Sequence, residues 1–431
     1  MLADLRTGVG TLLSRPGAFL LCLIPTLLLG AALALWLQPE PHSDWGYYWS
    51  AAGRFDAYER GGIGLWMLAI PKALGMSPVA AALCLNLPAA AAALWMAWRA
   101  DAGGRRGLWL ATAVYLFLLA PYFGIVQLDL LATTLLGAGM WLATYAATRP
   151  GGRVAVGGAV LLVVAGVSTR PQFALALWTL LLLLAVPWLL SRRRGRAPAA
   201  SRLLTVLVLG SILGFCADYG LRVLGDRDES IRTSSAVTLY GGLLVSEQGT
   251  GCGYWSVEAA RAARKDRRKP LHRAVAERLS AKPVSHWIGV VKCKLPEIVR
   301  PPPFATYWLV ETPSVRAGIE ANPRREQINA TYYRILGYER LLYAWLTLGM
   351  LAMAALTAAF LVYRRSVLEG LLPLAWILSF WLVHLVFEIQ GRYFLGMYLL
   401  TPLLCMLVLS LADRQPGSTP GQARVSAQTA G

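Results

Sequence analysis

Residues 42–55 read HSDWGYYWSAAGRF. They place the carboxylate of Asp44 among Trp45, Tyr47, Tyr48 and Trp49, where a long apolar run has just ended. A carboxylate held against a hydroxyl can take its proton, and aromatic rings offer flat apolar faces to a ring-shaped substrate or a lipid. Four other short stretches carry a similar mixture. VQLDLL holds Asp129, STRPQ holds Arg170, CADYGLR holds Asp218 and Arg222, and FEIQGRYF holds Glu388, Arg392 and Tyr393. A guanidinium binds phosphate oxygens through paired hydrogen bonds, so Arg392 and Arg170 suit a reaction in which a phosphate leaves.

Each of these residues also has a plainer role. Asp44 and Asp129 can cap the helices that follow them. Arg170 can snorkel from a helix end. Glu388 and Arg392 are four apart and can form a helix-end ion pair; Asp218 and Arg222 share that spacing, and there the structural role is preferred. Tyr47, Tyr48 and Trp49 are what a membrane-interface belt contains. The case for chemistry lies in where the topology puts all of them.

The chain has 431 residues, 56% hydrophobic and 15% charged, with a formal net charge of +18. Soluble domains carry roughly a quarter charged residues. Spanning a bilayer takes about 20 apolar residues as a helix. Runs near that length fall at 18–37, 78–98, 108–122, 129–147, 154–169, 172–190, 203–224, 340–362, 367–388 and 393–412. The expected fold is therefore all-α, a polytopic membrane protein of about ten transmembrane helices. The first run is of full spanning length, and cleavage after Ala34 would leave Leu35, Trp36 and Leu37 at a new terminus, so it is expected to be retained as a span.

With the N-terminus in the cytoplasm, the loops holding Arg99, Arg105 and Arg106, Arg149 and Arg153, Arg192 to Arg194, Arg196 and Arg202, and Arg364 and Arg365 are all cytoplasmic. That satisfies the positive-inside rule and accounts for much of the basic balance. No soluble nucleic-acid module is visible. In this frame Asp44, Asp129, Arg170, Asp218, Arg222, Glu388 and Arg392 all reach the outer face, while span middles are almost free of charge. Ionisable groups at membrane depth are costly and mark function.

Residues 1–224 are expected to form an N-terminal transmembrane module with a first outer loop over 38–77. Within it, 61–76 is too short to span and carries Pro71 and Lys72, which fits an interfacial or re-entrant helix. Residues 225–339 are expected to form a small helical periplasmic subdomain, 340–412 the C-terminal spans, and 413–431 a disordered cytoplasmic tail. In the subdomain, SVEAARAARKDRRKP reads as a helix capped by Ser256 and stopped before Pro270. VSHWIGVVKCKLPEI puts Val284, Trp287, Ile288, Val291, Leu295 and Ile298 on one helical face, with Lys292 and Lys294 off it. Cys252 and Cys293 are the two cysteines of this segment and can pair if that side is oxidising. The four histidines are scattered and give no zinc spacing.

The chain resembles the GT-C superfamily of membrane glycosyltransferases, closest to its protein O-mannosyltransferase and lipid A aminoarabinose transferase branch. SDWGYYWSAAGRF, VQLDLL, STRPQFAL and FEIQGRYFLGMYLLTP carry the resemblance, together with the topology. It implies an inverting transferase that moves a sugar from a polyprenyl-phosphate donor to a hydroxyl acceptor at the outer face. Asp44 matches the catalytic acid of the first outer loop, with Asp56 a competing acid in the same loop, and Asp129 matches an assisting acid. Arg392, Tyr393, Arg170 and Glu388 would lie near the lipid phosphate, and Lys292 in the outer helix would join them. Tyr47, Tyr48 and Trp49 would face the sugar or the lipid. No cofactor is required; a divalent metal is compatible with such chemistry, but no ligand cluster demands one. The partners are the lipid-borne donor, a glycan, lipid or protein acceptor, and the membrane. Ala-, Gly- and Arg-rich usage points to a bacterium, whose inner membrane would hold the protein.

Two other functions fit parts of the sequence. A lipid-linked glycan polymerase or ligase also wants outer arginines and a large outer segment, and RKDRRK over 264–269 would suit an acidic glycan if it is more than a solvated helix face. A transporter would place binding groups near the midplane, where Asn86 with Pro88 is the main polar feature.

Overall fold

The computed structural model describes residues 11–54, 62–101, 103–104, 106–147, 152–193, 198–224, 228–243, 253–266 and 269–413. Among these residues every regular element is helical. Seven helices are long and apolar enough to cross a membrane, so the protein is a polytopic helical membrane protein. In chain order the helices that matter are α1 (Pro16–Leu37), α2 (Ser43–Ala51), α3 (Gly62–Ala73), α4 (Pro78–Ala100), α5 (Trp109–Leu119), α6 (Asp129–Ala147), α7 (Arg153–Thr169), α8 (Gln172–Arg193) and α9 (Pro198–Leu224). There follow α10 (Asp228–Leu243), α11 (Val257–Asp266), α12 (Leu271–Ser280), α13 (Val284–Val299), α14 (Ala305–Val310), α15 (Pro313–Glu320), α16 (Arg325–Tyr363), α17 (Val367–Val386) and α18 (Leu395–Ala412).

Each of the ten apolar runs is largely helical. The seven long ones are α1, α4, α8, α9, α16, α17 and α18; α7 and the stretch Trp109–Gly124 are shorter. The core is mainly apolar, with buried charges such as Asp129, Arg170, Lys294 and Arg392 set into it, and α18 is buried along nearly its entire length. Leu21, Trp36, Leu182 and Leu356 turn outward instead, each more than 70% exposed, as side chains facing lipid do. Small residues let helices approach closely. A Cβ on Gly166 of α7 would lie 2.9 Å from the Ala132 carbonyl of α6, and one on Gly210 of α9 would lie 2.4 Å from Val163 of α7.

Helix α16 begins well before the expected span at 340, running unbroken for 39 residues from Arg325. That is about 58 Å at 1.5 Å per residue, longer than a bilayer core, and no proline interrupts it. The expected helix after Ser256 is present, and the Ser256 hydroxyl accepts a hydrogen bond from the Ala259 amide at 3.0 Å.

Helix α13 forms as expected, but of its expected apolar face only Ile298 is fully buried. Its buried residues are Val290, Lys294 and Ile298, while Val284, Ile288, Val291 and Leu295 are 48–74% exposed. In a membrane protein an apolar stripe need not pack on protein, because lipid is an equally apolar neighbour.

Acidic and basic side chains meet at both ends of the bundle. Asp413, at the end of α18, pairs with Arg106 and lies 3.7 Å from Arg364. The loops after α4, α16 and α18 thus meet at one end. Of the acidic and basic residues singled out above, Asp44, Asp129, Arg170, Glu388 and Arg392 gather where α1 ends and α18 begins. Residues 414–431 lie outside the described residues.

Candidate functional site

Four local devices build this end. Lys72, near the end of α3, points its ammonium at the last turn of α2 and donates to the carbonyls of Trp49, Ser50 and Ala52 at 2.6, 3.3 and 3.3 Å. A cation at a helix C-terminus satisfies carbonyls that have no partner within the helix. At the other end of α2, Trp45 is fully buried and its indole N–H donates to His42 Nδ1 at 2.7 Å. The His42 ring packs 5.5 Å from the Trp308 ring of α14. The carboxylate of Glu339 accepts from the amides of Phe304 and Ala305, both at 3.3 Å, and so anchors the start of α14. Before α18 the chain makes a 3-10 turn over Gly391–Phe394. A Cβ on Gly391 would lie 2.1 Å from the Pro302 carbonyl, so glycine allows this turn to press against the segment leading into α14.

These devices bring Asp44 and Arg392 together. Asp44 lies in the first turn of α2 rather than at its cap, and Arg392 donates to its carboxylate. The Arg392 side chain is 1% exposed and the Asp44 side chain 24%. The guanidinium also lies over the rings of Trp308 and Tyr393, 5.4 and 5.3 Å from their centroids. Its Nε and Nη1 are buried with no hydrogen-bond partner among the described residues.

The pair opens on a cavity of about 400 Å³, within the usual range for small-ligand sites. One wall is Asp44 with Ser43; a second is Glu388, Gln390, Arg392 and Tyr393; the remainder is Val237, Thr238, Trp255, Tyr307 and Trp308. Trp255, Tyr307, Trp308 and Gln390 are lining residues that the sequence did not single out. Residues 388–390 are not helical, so the helical spacing of Glu388 and Arg392 does not apply. The Gln390 amide donates to Glu388 instead.

Asp129 and Arg170 form a second, deeper cluster. Arg170 donates to Asp129 and to the Tyr48 hydroxyl, and its guanidinium lies 5.0 Å from the Tyr48 ring centroid. The Tyr122 hydroxyl donates to Asp129 at 2.8 Å. Asp129 and Arg170 are 2% and 4% exposed at their side chains, and neither lines the cavity. Arg170 is therefore not a snorkelling residue. The two clusters are close enough for Arg392 to feel the charge of Asp129.

Other expected residues are placed apart. Tyr48 is spent on Arg170, Trp49 lies under Lys72, and Tyr47 packs edge-on against Tyr48; none of the three lines the cavity. Lys292 is exposed on α13, away from the cavity, and its neighbour Lys294 is the buried lysine. Asp218 accepts from the Gly62 amide at 3.4 Å; the Arg222 side chain lies outside the described residues, as do Asp56 and Cys252. Cys293 is disulfide-bonded, and Cys22, Cys84, Cys216 and Cys405 are free thiols. Within RKDRRK, Asp266 pairs with Arg278 and Lys269 with Glu277, which commits part of that run to holding α11 and α12 together. Asn86 donates to the carbonyls of Phe123 and Ile125 at 3.0 and 3.2 Å. Among the described residues no group of three or more His, Cys, Asp or Glu side chains is placed to hold a metal ion.

Chemically, the cavity offers the carboxylates of Asp44 and Glu388, a buried guanidinium with unused donors, and four aromatic rings. No protein-family description matches the chain, and no curated protein or solved structure does either.

Proposed function

We propose that the protein is an inverting glycosyltransferase of the bacterial inner membrane, with about ten spans and the helical segment 225–339 on the periplasmic side. It would move a sugar from a polyprenyl-phosphate donor to a hydroxyl acceptor. The observation that carries this reading is the Asp44–Arg392 pair at the aromatic cavity, with two Arg392 nitrogens buried and unsatisfied. Buried donors without acceptors are uncommon and costly, and the phosphate of a donor is an acceptor of the right charge.

The step follows from those groups. The donor phosphate takes the unused Nε–H and Nη1–H of Arg392, competing with Asp44 for the guanidinium. Asp44 then accepts the proton of the acceptor hydroxyl. The acceptor oxygen bonds to the anomeric carbon from the face opposite the phosphate. The bond from that carbon to the phosphate oxygen breaks, and its electron pair leaves with polyprenyl phosphate. Arg392 neutralises the charge that grows on those oxygens. Trp255, Tyr307 and Trp308 suit the apolar faces of the sugar or the first lipid units. Asp129 holds Arg170 and Tyr48 beneath this site instead of meeting the substrate.

A transporter is less well supported, because Asn86, the main polar feature expected within the spans, is occupied by backbone carbonyls. The test is to present the protein in nanodiscs with a panel of polyprenyl-phosphate sugars and hydroxyl acceptors and to measure released polyprenyl phosphate. At least one donor is expected to release it. Turnover of lipid-pyrophosphate-linked glycans alone would point to a polymerase or ligase instead.

A further inference from the structure

Two groups of residues lining the cavity come from distant parts of the chain. Val237, Thr238 and Trp255 belong to α10 and the segment after Gly253, while Glu388, Gln390, Arg392 and Tyr393 lie between α17 and α18. The backbone joins them twice: the Glu388 amide donates to the Thr238 carbonyl at 3.0 Å, and the Ile389 amide donates to the Gly253 carbonyl at 2.7 Å. One side chain, absent from the cavity itself, sits at this junction. Lys294 of α13 is 0% exposed. Its ammonium donates to the carbonyls of Gly242, Leu385 and Phe387 at 2.8, 3.0 and 2.8 Å. An ammonium has three donors, and here each has an acceptor. Gly242 belongs to the end of α10, Leu385 and Phe387 to the end of α17, so one charge satisfies carbonyls of two helix C-termini at once.

Two glycines make room for it. A Cβ on Gly253, whose φ is +72°, would lie 2.7 Å from Lys294 Cε. A Cβ on Gly242 would lie 2.3 Å from the Val386 carbonyl oxygen, so the two helix ends meet only because that residue is glycine. Glu388, on the clamped segment, is near enough to attract the ammonium.

We propose that Lys294 is the positioning residue of the cavity: it ties the ends of α10 and α17 and thereby sets where Glu388, Gln390 and Arg392 stand relative to Asp44. The assignment rests on the transferase reading only for the activity it supports; the tie itself can be tested without any substrate.

The experiment is amide hydrogen exchange on the full chain in nanodiscs, comparing wild type with Lys294→Met, Lys294→Arg and Gly253→Ala. Lys294→Met keeps the apolar stem and removes all three donors. It is expected to speed exchange at Glu388 and Ile389 by about tenfold or more while α6 and α18 stay as in wild type. Lys294→Arg keeps charge and donors, and should fall between the two. Gly253→Ala strains its own backbone at φ +72°, and residue 253 bears the carbonyl to which Ile389 donates, so this variant reports on the junction as a whole. Lys294→Arg decides the matter if Lys294→Met does not fold, because its larger head should still loosen Glu388 and Ile389 relative to wild type. Unchanged exchange at Glu388 and Ile389, or an equal rise throughout the chain, overturns the proposal. Binding of polyprenyl-phosphate sugars on the same samples should weaken wherever the segment loosens. Local loosening in a protein that binds no such donor would uphold the tie and remove the transferase reading.

Discussion

Arg392 and Asp44 lie 348 residues apart in sequence and share a hydrogen bond at the mouth of one cavity. The cation is enclosed and the carboxylate is the more exposed partner. That asymmetry gives the two groups different tasks: a fixed charge behind and a reactive one in front. Arg392→Lys keeps a charge but loses the planar fork that can hold Asp44 and a phosphate together. Polyprenyl-phosphate release should fall about 10²- to 10³-fold with the melting temperature little changed. Retained turnover would remove the phosphate role from Arg392.

Asp129 and Arg170 make the opposite case, a pair buried on both sides. Removing one partner strands the other charge, which costs about 3–5 kcal/mol, whereas replacing both by apolar groups costs far less. Asp129→Ala should therefore unfold at markedly lower temperature, and Asp129→Ala combined with Arg170→Met should recover much of the loss. An Asp129→Ala protein that melts like wild type yet fails to turn over would make Asp129 a participant in the chemistry.

Trp308 packs against the Arg392 guanidinium and lines the cavity. A desolvated cation–π contact contributes about 1–2 kcal/mol, so Trp308→Ala should weaken donor binding roughly tenfold or more, and Trp308→Phe should lose less. Titration of donor against intrinsic fluorescence would measure both.

Asp101 ends α4 at the other end of the bundle, fully buried, with neither oxygen in a well-formed hydrogen bond. Burial pushes its carboxyl up to about 6, against the pull of the Arg106 charge and the Gly107, Leu108 and Trp109 amides. An unfolded Asp titrates near about 3.9. The folded protein thus holds the proton more tightly. The stability this group contributes is complete below about pH 4 and is lost as the pH rises through about 6. Asp101→Asn should melt higher than wild type at pH 8 and together with it near pH 4. Parallel curves at both pH values would contradict the assignment.

The gathering of Asp44, Asp129, Arg170, Glu388 and Arg392 at one end was legible in the sequence, because alternation of spans fixes which helix ends share a side. Which of them pair was not. Asp129 and Arg170, or Asp44 and Arg392, meet through tertiary packing that leaves no local pattern. The same limit hid Trp255, Tyr307 and Trp308, whose positions depend on how the 225–339 segment folds back. Helix α13 shows the subtler failure. Helical periodicity set an apolar stripe apart from Lys292 and Lys294, but periodicity cannot say which face meets protein, and Ile298 of that stripe is buried beside Lys294. Here Val284, Ile288, Val291 and Leu295 of the stripe are exposed, and Lys294, two residues from the exposed Lys292, is drawn inward by three carbonyls at the ends of other helices.

The most direct measurement compares wild type with Asp44→Asn in nanodiscs, reading donor binding by thermal shift and transfer by polyprenyl-phosphate release. Asparagine keeps the shape of the side chain and removes its basicity. The expected result is a donor that stabilises both proteins but is turned over only by the wild type, with the loss about 10²- to 10⁴-fold. Turnover by Asp44→Asn at the wild-type rate would contradict the account and move the base elsewhere, with Asp56 the next residue to test.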